Sequence, residues 1–168
     1  MFVLGIDPGL SRCGYGVVER MTPRGSRAVA MGVIRTPPDD PLPARLGQLQ
    51  LDLMELITHT KPDVVAVERV FFQPNTRFAM SVGQASGLAL AAAHHAGCEV
   101  VQYTPNEVKQ AVAGYGAATK EQVQRMVQTL LGLAERPRPA DVADALALAL
   151  THLANAGMRH RVTQAALR

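Results

Sequence analysis

The sequence predicts an α/β domain built on a mixed five-stranded sheet with helices on both faces. Three short apolar runs, at residues 2–7, 14–19 and 27–35, are separated by short segments that contain turn sequences, which is typical of an antiparallel meander. Further along, runs at 63–68 and 99–103 alternate with helical patterns. Such alternation favours parallel strands added to the sheet through helical connections.

Length and composition indicate one folded domain. The chain has 168 residues, of which 48% are hydrophobic and 18% are charged, so a disordered chain is excluded. Lys and Arg total 17 against 14 Asp and Glu, a net charge of +3 that permits a nucleic-acid partner without demanding one. We expect a single domain over 1–157, followed by a basic, flexible tail over 158–168.

The elements of the first half are marked by turns and by periodicity. The first apolar run ends at Asp7, where Asp-Pro-Gly is a turn sequence. A proline-rich loop over 37–43 precedes leucines and an isoleucine at helical spacing, which predict a helix over 46–57. The consecutive β-branched residues of 63–68 predict a buried strand.

The second half is predicted to be mainly helical. Residues 78–98 carry no formal charge, but their serines, histidines and glycines favour a buried helix over 78–96 rather than a membrane span. Thr104 and Thr119 each open a capping box, and so predict the starts of two further helices. Residues 141–156 are apolar nearly all round, which predicts a central helix.

Nothing in the sequence predicts secretion or a membrane. The N-terminus has no basic segment, and its apolar run stops at Asp7. Cys13 and Cys98 are the only cysteines, and their wide separation forms neither a zinc nor a redox motif. We therefore predict a reduced, cytoplasmic protein.

Four carboxylates follow or interrupt apolar segments: Asp7, Glu68, Asp141 and Asp144. A carboxylate near an apolar core is costly unless it is paired, hydrogen-bonded or bound to a metal. Each residue also has a simpler interpretation when taken alone. Asp7 could form a turn, Glu68 could reach water at a strand end, and the two helical acids could cap the helix or face its dipole.

Taken together, the four acids predict a metal site. Asp7 and Glu68 end two predicted strands, at the edge where open α/β sheets bind ligands, while Asp141 and Asp144 share one helix face. If that helix packs against this edge, the clustered carboxylates must raise their pKa values or bind hard cations. Oxygen ligands favour Mg²⁺ or Mn²⁺, and two such ions about 3.5–4 Å apart suit phosphodiester hydrolysis.

The remaining charge is consistent with a nucleic-acid substrate. Without those four acids, 17 basic residues face only 10 acidic ones. An acidic pit within a basic surface is typical of a metal-dependent nuclease, because the basic surface attracts phosphates over a long range.

The order of motifs resembles the RuvC family of bacterial Holliday-junction resolvases. The matching segments are 4–9, 14–17, 66–71, 108–110, 123–124 and 140–147. The resemblance implies a ribonuclease-H-like fold and a homodimer with two active sites. It also implies symmetric nicking of two opposed strands of four-way junction DNA in recombination and repair, leaving 5′-phosphate and 3′-hydroxyl ends. The cofactor would be Mg²⁺ or Mn²⁺, with two ions per site. The partners would be a branch-migration helicase and its junction-binding protein.

The resemblance also assigns residues. Asp7, Glu68, Asp141 and Asp144 match the family's catalytic, metal-binding acids, although some members carry His where this chain has Asp141. Lys120 matches a lysine close to the active site, and Phe71 matches a phenylalanine that stacks on or wedges apart junction bases. The further candidate DNA contacts are Phe72, Arg69, Lys109, Arg77 and Arg12.

Two alternatives remain at this point, and the length of the chain argues against a third. A short resolvase-like nuclease that processes ribosomal RNA has a similar fold and similar carboxylates. A non-catalytic junction-binding module would carry the acids for structural reasons. An actin-like or sugar-kinase-type phosphotransferase needs two domains and a second glycine-rich loop, for which 168 residues leave no room.

Overall fold

A computed structural model describes residues 1–22, 25–70 and 76–166, and for 76–78 and 157–166 it describes the backbone alone. Within these ranges the strands form one five-stranded sheet in the order β3-β2-β1-β4-β5. The strands are β1 (Phe2–Asp7), β2 (Arg12–Arg20), β3 (Ser26–Arg35), β4 (Val64–Glu68) and β5 (Glu99–Tyr103). β1, β2 and β3 pair antiparallel, whereas β4 and β5 are added parallel to β1. The predicted meander and its parallel additions are confirmed.

The helices of the described ranges connect and cover this sheet. They are α1 (Leu42–Thr60), α2 (Thr76–His95), α3 (Pro105–Ala113), α4 (Lys120–Leu131) and α5 (Ala140–Ala166). Both predicted capping boxes are present, because Thr104 and Thr119 each accept a hydrogen bond from the backbone N–H three residues on. None of the described helices combines the length and the hydrophobicity of a membrane span.

Alternate strand residues face two separate cores, as the pleat of a sheet requires. Val3 and Ala66 point into the core under α3, α4 and α5. Their chain neighbours Leu4 and Val65 point the other way, into the core under α1 and α2. The predicted helices on both faces are therefore confirmed.

Two predicted boundaries were wrong. α1 begins at Leu42, inside the stretch predicted to be loop, because proline is tolerated in the first turn of a helix and Pro43 lies there. The last helix, predicted to end at 156, continues to Ala166. Flexibility of 158–168 stays a prediction.

Candidate active site

Two adjacent strands end in the two carboxylates that the sequence predicts there. β1 and β4 run parallel, with Ile6 opposite Val67, so Asp7 and Glu68 are the next pair in register. The two half-buried side chains share a hydrogen bond. Burial, and then the negative charge of Glu68, raises the pKa of Asp7 to about 8.

The pKa of Glu68 is also raised, by burial and then by the charge of Asp144, although the hydrogen bond from Asp7 works in the opposite direction. That hydrogen bond raises the pKa of Asp7 and lowers that of Glu68, so the two carboxyl groups titrate as a pair. Two ionised carboxylates this close repel each other, so a cation that binds both would stabilise the ionised pair.

α5 brings the other two carboxylates to this edge. Asp141 and Asp144 lie in its first two turns, three residues apart, with side chains 27% and 28% exposed. Their charges contribute to the raised pKa of Asp7, which places all four acids within one electrostatic cluster. Asp141 lies within the first turn of α5, so the alternative interpretation of this residue as an N-cap is not supported.

Glycines in the sheet allow α5 to approach this closely. A Cβ atom on Gly5 would lie 1.9 Å from the carbonyl oxygen of Ala145, and one on Gly14 would lie 2.2 Å from that of Asp141. A Cβ on Gly16 would meet the Leu146 side chain at 2.6 Å. No side chain fits at these points, so the backbone of α5 rests directly on β1 and β2.

Two cations face the acids of α5. The Lys120 ammonium, at the start of α4, lies 2.7 Å from a carboxylate oxygen of Asp144. Burial disfavours its charge, but the hydrogen bond and charge of Asp144 outweigh burial and raise the pKa of Lys120. For Asp144 burial is the larger effect, so its pKa is raised even beside Lys120. Arg12, at the start of β2, forms an ion pair with Asp141.

A cavity of about 250 Å³ opens beside the acids, between α3, α4 and α5. Its lining combines four charged residues with four apolar ones. The charged groups are Glu68, Asp144, Lys109 and Lys120, and the apolar ones are Pro105, Val108, Val123 and Leu148. The sequence-based prediction missed this apolar wall, which combines residues from three helices.

The donors of the site suit a hard divalent cation. All four are carboxylates, and the pKa values of Asp7 and Glu68 are raised first by burial and then by the charges of neighbouring acids, which a bound cation would offset. Across the part of the chain that the structure describes, no three Asp, Glu, His or Cys side chains stand in metal-ligand geometry. Asp141 and Asp144 are instead turned toward Arg12 and Lys120.

The remaining predicted DNA contacts are distributed unevenly. Lys109 lines the cavity, and Arg69 is exposed directly after Glu68. Phe71 and Phe72 lie outside the described residues, as does the side chain of Arg77. The close approach at Gly14 and Gly16 was not predicted, although two glycines alternating within a strand are a signal for it.

Proteins similar to this chain in sequence and in fold are named for their action on DNA junctions. The family model described as Crossover junction endodeoxyribonuclease RuvC matches residues 3–152. The RuvC of Salinispora arenicola is 54% identical over 99% of this chain and 95% of its own length. That of Moorella thermoacetica is 51% identical over 99% of both chains. The chain belongs to the RuvC family.

The three-dimensional comparison agrees with this assignment. Thermus thermophilus RuvC, in a structure described as a complex with Holliday junction substrate, superposes with a TM-score of 0.90 at 44% identity, over 95% of this chain and 96% of that chain. The yeast mitochondrial Holliday junction resolvase superposes with a TM-score of 0.69 at 16% identity, over 94% of this chain and 82% of that one, and so shares the fold. The ribonuclease-H-like fold is confirmed, and RuvC enzymes are metal-dependent nucleases.

Proposed function

We propose that this chain is an endonuclease that resolves four-way DNA junctions by nicking two opposed strands. The observation that carries the proposal is the convergence of Asp7, Glu68, Asp141 and Asp144 at one sheet edge, in a member of the RuvC family. The relatives that match nearly the whole chain carry the name of this enzyme. They favour it over the ribosomal-RNA nuclease and over a binding module.

The four carboxylates would hold Mg²⁺ or Mn²⁺, two ions per site. Ions held there would supply Lewis-acid chemistry, by polarising the phosphodiester and lowering the pKa of water. The chain's own contribution begins with Asp7, which must give up the proton that it holds in the ion-free site. Lys120, which lies 2.7 Å from a carboxylate oxygen of Asp144, would pair with phosphate oxygens when Asp144 holds a cation. Lys109, which also lines the cavity, would offer a second positive charge.

Lys120→Ala is expected to reduce turnover by about 10- to 100-fold while changing junction affinity about twofold, because its ammonium stabilises charge that develops in the transition state. Single-turnover nicking and junction binding would be measured on the same preparation. Arg125→Ala is the matched control, since Arg125 is exposed on the same helix and does not line the cavity. Equal losses in rate and affinity would make Lys120 a simple phosphate contact.

Phe71→Ala is expected to keep Mn²⁺ binding and lose junction cleavage, because a stacked aromatic ring stabilises an unpaired base by about 1–3 kcal/mol. Wild-type cleavage by this variant would refute the wedge role.

The other proposed DNA contacts are charged or aromatic residues: Phe72, Arg69, Arg77 and Arg12.

The assembly follows from the same proposal. Two nicks in opposed strands need two active sites, so we expect a homodimer. We expect a branch-migration helicase and its junction-binding protein as partners, and the cytoplasm, where bacterial chromosomal DNA lies, as the place of action.

A nicking assay on a synthetic four-way junction tests the proposed function. The junction would be compared with a linear duplex and a structured RNA, each with Mg²⁺, Mn²⁺ or EDTA. Paired nicks restricted to the junction and dependent on the metal are the expected result. Cleavage of the RNA instead would support the ribosomal-RNA nuclease. Tight junction binding without cleavage in any metal would support the binding module.

A further inference from the structure

Arg12 is placed by the strand that carries it to face a catalytic acid. Side chains two residues apart on a strand share a face, so Arg12 lies on the same face of β2 as Gly14 and Gly16, the two positions that touch α5. Cys13, which lies between Arg12 and Gly14, points into the core on the opposite face of the sheet. Gly14 lies directly beneath the backbone of Asp141, and Arg12 reaches the carboxylate of that residue.

The ion pair occupies one carboxylate oxygen of Asp141, so Arg12 competes with a metal ion for that oxygen. A guanidinium presents a planar fork of donors that fits a carboxylate or a phosphate, so Asp141 and a DNA phosphate compete for Arg12. Arg35, opposite Arg12 in the β2–β3 register, is exposed and adds positive charge beside it. An approaching DNA phosphate therefore meets a paired guanidinium with a second cation at its side.

We propose that Arg12 is a positioning residue that holds Asp141 while the site is empty and transfers to a DNA phosphate when substrate arrives. Asp141 is then released to bind metal as the phosphate enters, so substrate and cation load together. This inference rests on the proposed function, because it assumes that Asp141 is a metal ligand. By linkage, any gain in metal affinity caused by DNA equals the gain in DNA affinity caused by metal.

The first test measures Mn²⁺ binding to the DNA-free protein, from the loss of the free-ion electron paramagnetic resonance signal. Arg12→Gln is expected to bind Mn²⁺ about three- to tenfold more tightly than wild type, because a charged hydrogen-bonded competitor has gone. Arg27→Gln is the matched control. Arg27 pairs with Glu19 at 2.6 Å at the far end of the same two strands, so its replacement removes the same charge away from the site.

The second test measures junction binding in EDTA by fluorescence anisotropy. Arg12→Gln is expected to weaken binding about two- to fivefold relative to Arg27→Gln, because a phosphate contact is lost. Arg12→Lys, which keeps the charge without the fork, should fall between wild type and Arg12→Gln in both tests. It serves as the second variant if Arg12→Gln does not fold.

The outcomes distinguish the proposed role of Arg12 from the proposed function. If wild type binds neither Mn²⁺ nor the junction, both proposals are contradicted. If wild type binds both, and Arg12→Gln matches Arg27→Gln in Mn²⁺ affinity, the inference alone is overturned. Tighter Mn²⁺ binding without weaker junction binding would overturn the transfer to phosphate.

Discussion

Asp7→Asn is expected to abolish nicking, by about 10³-fold or more, and yet to stabilise the metal-free protein at alkaline pH. The loss of activity follows because an amide is a weak ligand for a hard cation. The gain in stability follows because burial, and then the charges of three other acids, raises the pKa of Asp7 from 3.8 to about 8 in the folded protein.

The sign of the pH effect follows from this shift. A carboxyl group whose pKa is raised by folding stabilises the folded state while it is protonated, and that stability is lost as pH rises from about 4 through about 8. The shift corresponds to a decrease on the order of 5 kcal/mol in the free energy of unfolding by pH 8. This decrease belongs to Asp7 and Glu68 as a pair. The side chain in Asp7→Asn does not ionise, so the free energy of unfolding of this variant does not decrease for this reason as pH rises.

Urea unfolding in EDTA at pH 5 and pH 8.5 would measure the effect. Asp7→Asn should be the more stable protein at pH 8.5, with a smaller difference or none at pH 5. Asp39→Asn, in an exposed loop, provides the same substitution away from the site. The same dependence on pH in wild type and Asp7→Asn would contradict the electrostatic description of the site.

Gly14→Ala is expected to disrupt the site without touching any acid. Its new Cβ would lie 2.2 Å from the carbonyl oxygen of Asp141, so the first turn of α5 must move away from the sheet. Overpacking of this kind costs about 1–3 kcal/mol or more. Because Asp141 and Asp144 move with α5, we expect Mn²⁺ affinity and nicking to fall together with the free energy of unfolding.

Gly47→Ala is the matched control for Gly14→Ala. Gly47 lies within α1, exposed, and a Cβ there would meet nothing within 4 Å. Alanine should stabilise this helix by about 0.5–1 kcal/mol, with nicking unchanged. Normal stability and metal affinity in Gly14→Ala would show that the close approach of α5 does not set the geometry of the acids.

The sequence could predict the acids because each leaves a local signal. Asp7 and Glu68 end apolar runs whose parallel pairing brings their ends to one edge. Asp141 and Asp144 interrupt an apolar helix at a spacing that places them on one face. The capping boxes at Thr104 and Thr119 are equally local, and both were confirmed.

The pairings within the site could not be predicted, because they depend on tertiary distance. Arg12 was predicted only as a DNA contact, and its ion pair with Asp141 depends on how closely α5 rests on β2. The cavity wall of Val108, Val123 and Leu148 comes from three helices whose relative placement no local pattern encodes. The end of α5 was missed because the residues after 156 lack the strong apolar pattern that precedes them.

Anomalous scattering from Mn²⁺ in crystals of the protein with bound junction DNA would show whether these carboxylates hold the metal. We expect two peaks about 3.5–4 Å apart, in contact with Asp7, Glu68, Asp141 and Asp144. We also expect that Arg12 and Lys120 are turned from their carboxylates toward phosphate. Peaks elsewhere, or no peaks while both ion pairs stay closed, would contradict the assignment of these four carboxylates as the metal site.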